Sequence, residues 1–306
     1  MNRRKFIKSA AFAALVTAAA SKFPKAVLSQ NTPGVSSLPD VVGVRNGTPV
    51  EMFRKGIDAL GCMQAFVKPG QKVIIKPNIS FDSGPERGAN TNPDLVAEIV
   101  RQAKAAGASN VSVFDHTLNE WRSSYKNSGT QDAVERAGGT MLPANDGKYY
   151  EYMRRPQAKK LKESALFKQM LEADVFINVP ILKNHGGAKM SCAIKNLMGV
   201  VWDRRSWHGN GLNQSIAEVL YYIKPSLNVI DAYRVLRANG PRGVSVDDVD
   251  IKKYMIISKD IVAADSAALG VIGYGLSDVP YVKIAGDLGF GEYDLSKLKI
   301  ERISIN

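Results

Sequence analysis

The sequence predicts an α/β fold: a mostly parallel central sheet with helices on both faces and a ligand pocket at the C-terminal ends of the strands. Three observations carry this. Short apolar runs at Val73–Lys76 and Val111–Phe114 enclose an amphipathic helix, and a strand–helix–strand unit with short joints implies parallel strands. A third apolar run, Val175–Leu182, is short enough to be a buried strand and leads toward a helix-forming stretch, Met190–Val201. Polar residues collect where these runs end, at Lys76/Asn78, Asp115/His116 and the Lys183–Lys189 elbow, and sheets of this kind bind ligands at strand C-terminal ends.

The other elements follow in order. Asp40–Arg45 reads as a short strand. Thr48 caps a helix with Pro49 at its first position, running to about Leu60, with Val50, Phe53, Ile57 and Leu60 at helical spacing. The strand Val73–Lys76 stops at Pro77, which has no N–H for the ladder. Ser83–Asn92 is a loop. Asn92-Pro93-Asp94 starts a helix to Ala106, which Gly107 ends. A short helix at Thr130–Gly138 and a short strand at Thr140–Leu142 follow. Gly147–Lys160, with Tyr149, Tyr150, Tyr152, Arg154 and Arg155, reads as an amphipathic edge hairpin, and Ser164–Leu171 as a helix. Asp203–Asn213 carries Arg204, Arg205, Trp207 and His208 and reads as a lid or wall. Leu212–Ile223 is a helix, Leu227–Ile230 a strand ending in Asp231, and Asn239–Gly243 a tight loop. Tyr254–Ser258 is a strand, Asp260 caps the helix Ile261–Gly273, and Lys299–Ile305 is a final edge strand. No internal repeat is evident. The α/β domain spans 40–306, with a change near 148–160 where two lobes could join.

Residues 1–30 read as a twin-arginine signal peptide and 31–39 as a linker. A basic start, Arg3-Arg4-Lys5-Phe6-Ile7-Lys8, precedes the apolar run Ala10–Ala20, well short of the ~20 residues a membrane-spanning helix needs. The expectation is export by the twin-arginine translocase to the periplasm or beyond. The leader also explains much of the net charge of +12: without its six basic residues, 35 basic face 29 acidic residues, a net of +6. That balance suits a small anionic ligand, and no dense basic run asks for nucleic acid. The cysteines, Cys62 and Cys192, form no C-x-x-C, so no iron–sulfur cluster is expected from this chain and no cofactor is named. They are read either as free thiols or as one disulfide.

The candidate catalytic residues are Lys183, His185, Asp115 and His116. The candidate ligand-binding residues are Lys76, Asn78, Lys189, Lys195 and Asn196, with Asp231 and Asp265 nearby. Lys183 and His185, two apart on extended backbone, point the same way. Grouped lysines in a desolvated hollow lower one another's pKa and can act as base or nucleophile, and a histidine can take a proton near neutral pH. Free N–H groups at the start of the helix after the elbow, with lysines beside them, make a place for an anion. His116 and His185 with Asp115 or Asp231 could hold a metal, but the spacing matches no compact motif. Phosphate-binding Walker, dinucleotide G-x-G-x-x-G and G-x-S-x-G patterns are absent.

The chain resembles the domain-of-unknown-function family 362, often met fused to ferredoxin modules. The motifs are KPN at Lys76–Asn78, GANTNP at Gly88–Pro93, FDH at Phe114–His116, the long block Asn178–Gly199, NGPRG at Asn239–Gly243 and the acids Asp260 and Asp265. The resemblance implies an α/β fold with a pocket near these motifs. Ferredoxin-type cysteines are absent, and Arg237-Ala238 stands before NGP where similar proteins carry an acid. Lysines and histidines at strand ends also give a distant likeness to the nickel-cofactor lactate racemases. The expectation is an exported enzyme acting on a small anionic substrate by Lys/His/Asp acid–base or metal-assisted chemistry. The alternatives are a periplasmic cofactor- or anion-binding or assembly protein, and a redox partner subunit without its own cluster.

Overall fold

Alternation along the strands sorts the side chains into two apolar layers. Val73 and Ile75 face one layer and Ile74 the other; Val175 and Ile177 are likewise separated from Phe176, and Met255 and Ile257 from Ile256. The first layer is covered by helices from the N-terminal half, the second by helices from the C-terminal half, so helices cover both faces. The computed structural model describes residues 38–209 and 211–306. The signal peptide expected at 1–30 lies outside the described residues, as does most of the linker.

The chain begins with strand β1 (Val41–Arg45), helix α1 (Pro49–Ala59), strand β2 (Lys72–Pro77), helix α2 (Pro93–Ala105) and strand β3 (Asn110–Val113). The caps behave as their sequences require. The Thr48 hydroxyl accepts from Glu51 N–H at 3.3 Å while the Glu51 carboxylate accepts from Thr48 N–H at 2.8 Å, and Asn92 Oδ1 accepts from the N–H groups of Asp94 and Leu95. Helices α3 (Trp121–Asn127) and α4 (Thr130–Arg136) lead to strand β4 (Thr140–Met141). Strands β5 (Tyr150–Arg154) and β6 (Glu163–Phe167) make a separate antiparallel ribbon, and α5 (Lys168–Leu171) is one turn. Ser164–Phe167 is therefore strand rather than helix: its backbone pairs with β5, and all four side chains are buried.

The central stretch departs most from expectation. Val175–Leu182 is two strands, β7 (Val175–Val179) and β8 (Ile181–His185), separated at Pro180. Proline donates nothing to the ladder, and the break lets β8 leave β2 and run on along the next strand. The elbow is a hairpin, with His185 opposite Lys189 where β8 meets β9 (Lys189–Ser191). The expected helix Met190–Val201 shrinks to α6 (Ala193–Asn196) and a following 3₁₀ turn. Helix α7 (Leu212–Glu218) precedes β10 (Leu227–Leu236), which runs past Asp231. Then come β11 (Val249–Ser258), α8 (Ile261–Ile272), α9 (Pro280–Asp287) and β12 (Ile300–Ser304).

The strand order is β12-β1-β11-β10-β7-β2-β3-β4, with β8 attached beside β10 and β9 paired to β8. Along this path every pairing is parallel except the two made by β11, so the sheet is mostly parallel as expected. Cys62 is exposed and Cys192 buried; both are free thiols. No helix among the described residues is long and apolar enough to cross a membrane.

Candidate functional site

The loops after β2 and β3, the β8–β9 hairpin, α6 and the loop at 203–209 enclose a cleft of about 110 Å³ at the C-terminal ends of the strands. Of the nine residues singled out from the sequence, seven line it: Lys76, Asn78, Asp115, Lys183, His185, Lys195 and Asn196.

At its floor the Lys76 ammonium lies 2.8 Å from Asp115 Oδ1, with both side chains 1% exposed. Burial lowers the Lys76 pKa, against which the Asp115 carboxylate works. Asp115 Oδ2 accepts from Ile79 N–H at 2.7 Å, so the carboxylate also fixes the loop after β2. Lys76 donates to Asn196 Oδ1 at 3.1 Å, and Asn78 Nδ2 donates to the same oxygen at 3.1 Å. Asn196 Nδ2 reaches Asn178 Oδ1 at 2.9 Å and Lys76 O at 3.2 Å. This amide network joins α6 to β2 and β7, so side chains far apart in sequence hold one another in place.

Lys183 enters from β8 and donates to Ala89 O at 2.5 Å and Asn78 Oδ1 at 3.2 Å, with its Nζ 5.0 Å from the centre of the Phe81 ring. Burial, then the neighbouring Lys195 charge, lowers its pKa to about 7. Lys195 is 8% exposed, and burial followed by the Arg204 charge lowers its pKa to about 7 as well. Its ammonium has one hydrogen-bond partner among the described residues, the Met198 thioether at 3.4 Å, a weak acceptor.

His185 Nδ1 accepts from the N–H groups of Gly187 and Ala188 at 3.0 and 3.2 Å, inside the hairpin turn. Burial and the adjacent lysines lower its pKa to about 3. The ring is neutral at neutral pH with its proton on Nε2, so it offers the cleft a donor.

The remaining expected residues lie elsewhere. His116 follows Asp115 directly and turns the other way: its ring stacks on Trp202 with centroids 5.0 Å apart, Nδ1 lies 3.0 Å from Val201 O, and burial lowers its pKa to about 4. Lys189 is exposed, with its ammonium 4.9 Å from the centre of the Tyr274 ring. Asp231 is buried in β10, accepting from Asn92 and Tyr233 N–H. Asp265 is buried on α8 and accepts from Ala193 N–H at 2.6 Å and Ile194 N–H at 3.0 Å. The start of α6, expected to offer free N–H groups to an anion, is thus already capped by a carboxylate.

Arg204, Arg205 and His208, from the segment read as a lid or wall, complete the cleft, and Ser80, Ser191 and Pro241 also reach it. Arg204 donates to Thr117 O at 3.1 Å, pinning the wall to the loop after β3. The sequence marked the arginines as a loop feature but carried no sign of which cavity they face. Five cationic side chains surround the cleft against the one carboxylate of Asp115. Among the described residues no group of three His, Cys, Asp or Glu side chains could hold a metal ion.

Residues 73–270 match the family model described as Domain of unknown function (DUF362). The chain belongs to that family. The matched DUF362 region takes in every residue of the cleft named above. A curated relative, the thylakoid-associated protein sll1697 of Synechocystis sp., is 25% identical over 251 residues, covering 79% of this chain and 76% of its own. Two solved structures are similar in part. The lactate racemase apoprotein from Thermoanaerobacterium thermosaccharolyticum aligns with a TM-score of 0.43 at 14% identity, over 64% of this DUF362 chain and 50% of its own. A Thermotoga maritima protein aligns with a TM-score of 0.48 at 11% identity, over 79% and 60%. The chain therefore spans half the length of the first and three fifths of the second.

Proposed function

We propose that the cleft is the active site of an enzyme that binds a small anionic substrate and moves a proton on it. The observation that carries this reading is Lys195: a buried ammonium beside Arg204, held only by a thioether among the described residues. An amine so placed either pairs with an incoming anion or gives up its proton and becomes a base, and a pKa near 7 supports both. Lys76, Lys183 and Arg204 supply positive charge, His185 Nε2–H supplies a donor, and Asp115 holds Lys76 in place.

Hydrogen–deuterium exchange tests the proposal. In D₂O, proton NMR of a panel of small carboxylates is expected to show enzyme-dependent loss of an α-proton signal for at least one member, and Lys195→Met is expected to abolish it. Binding without exchange would favour the alternative of a protein that holds an anion without chemistry. Neither binding nor exchange by any carboxylate or phosphate sinks both.

We further propose that the protein acts outside the cytoplasm, carried by the twin-arginine translocase. The Arg3-Arg4 pair and the short apolar run behind it support this. Residues 1–30 fused to a fluorescent reporter should direct export, and replacing both arginines by lysine should stop it.

A further inference from the structure

Beside the cleft lies a larger crevice of about 400 Å³, lined by His116, Tyr152, Trp202 and Asp203 among others, which shares Leu118, Arg204 and Arg205 with the cleft. The two spaces meet at the end of β3: Asp115 faces the inner one and His116, the next residue, the outer one. Their sizes differ in kind. A cavity near 150 Å³ takes one benzene, so the inner cleft, at about 110 Å³, has room for about four or five heavy atoms. The outer crevice alone falls in the range of roughly 300–1,000 Å³ typical of organic ligands.

Its lining is specific in chemistry. Trp202 is half-buried and backed by the His116 ring, 9° from parallel. Tyr150 supports both, with centroids 5.7 Å from His116 and 5.2 Å from Trp202. Tyr152 stands on the ribbon at 68% exposure, and Leu118 is 55% exposed. A tryptophan propped from behind and an aromatic ring left in water suit a flat partner. Asp203 is the one carboxylate here, against Arg204 and Arg205.

We propose that the natural ligand is longer than the inner cleft: an anionic head of phosphate or carboxylate size among Lys76, Lys183 and Lys195, joined to an aromatic or heteroaromatic ring lying against Trp202 and Tyr152. Arg204, pinned to Thr117 O, stands between head and ring. This rests on the anion-binding reading of the cleft and adds the second half of the molecule.

The probes are inorganic phosphate and 1-naphthyl phosphate, titrated into the full chain by calorimetry and tryptophan fluorescence. The ring should tighten binding about tenfold or more, in line with aromatic stacking elsewhere. Trp202→Ala and, separately, Tyr152→Ala should remove most of that gain while leaving inorganic phosphate within about twofold, a margin well inside the effect sought. Tyr152 is exposed, so its variant tests the shelf even if Trp202→Ala fails to fold. If phosphate binds but the ring adds nothing, or both variants keep the gain, the two-part ligand is wrong and the inner site stands. If neither probe binds, the underlying anion site is wrong as well.

Discussion

Lys76 Nζ and Asp115 Oδ1 lie 2.8 Å apart at the floor of the cleft, each side chain 1% exposed, with the backbone of Gly199 against them. The pair ties the end of β2 to the end of β3, and α6 and its 3₁₀ turn close over it.

Breaking the pair from one side should be costly. Asp115→Asn leaves a buried ammonium without its counter-charge, and a loss of about 3–5 kcal/mol in urea unfolding is expected. Lys76→Met added to that variant should recover part of the loss, because the stranded charge is gone. Additive losses in the double variant would show that the two side chains do not act as a pair.

Gly199 is required by closeness, since its backbone dihedrals are not unusual. A methyl group there would collide with Asp115 Oδ1 and sit 2.7 Å from Lys76 Nζ. Gly199→Ala should cost about 1–3 kcal/mol by overpacking and weaken anion binding together with stability. A variant with unchanged urea midpoint and unchanged binding would mean that the floor of the cleft gives way easily.

Lys183 and Lys195, both near pKa 7, predict that anion affinity falls as pH rises from 6 to 9. Sulfate, whose charge is constant in this range, is the suitable probe in calorimetry. Lys195→Met should weaken sulfate binding at pH 6 and flatten the pH dependence. The same lysines act on stability in the opposite sense. Between about 7 and about 10.4 the unfolded chain keeps protons that the folded chain has given up, so stability should rise with pH across that window. An affinity indifferent to pH would refute the titration assigned to these lysines.

Histidine acts in acid. With folded pKa values of about 3 for His185 and about 4 for His116, each is neutral in the folded chain at a pH where the unfolded chain takes up a proton. Stability should therefore fall as pH drops from about 6.5 toward 4. Nitrogen-15 NMR should find His185 protonated on Nε2 alone and not titrating between pH 5 and 8. A titration midpoint near 6.5 would contradict the hairpin geometry at Gly187 and Ala188.

What the sequence makes legible is local. Thr48-Pro49 and Asn92-Pro93-Asp94 place their helix starts because a cap acts within one turn, and the polar strand ends gather because parallel strands point the same way. The Asn178–Gly199 block contributes Lys183, His185, Lys195 and Asn196 to the cleft, yet its inner structure differs from the strand and helix its pattern predicts. Pro180 splits one expected strand in two, and the stretch after it pairs back on itself before any helix starts. A run of apolar residues looks alike in strand and in buried helix, so only the pairing partners decide.

By itself the sequence determined the α/β class, the mostly parallel sheet and seven of the residues that meet in the cleft, because alternation, caps and chain direction are written in short windows. Only the tertiary structure decided which charges are answered. It placed Asp265 across the start of α6, turned His116 away from Asp115 toward Trp202, and brought Arg204 beside Lys195. Asp265 and Ala193 are 72 residues apart and His116 and Trp202 are 86 apart, while Arg204 and Lys195 are nine apart with a 3₁₀ turn and a loop between them; burial and pairing are properties of neighbours in space, which short windows of chain do not specify.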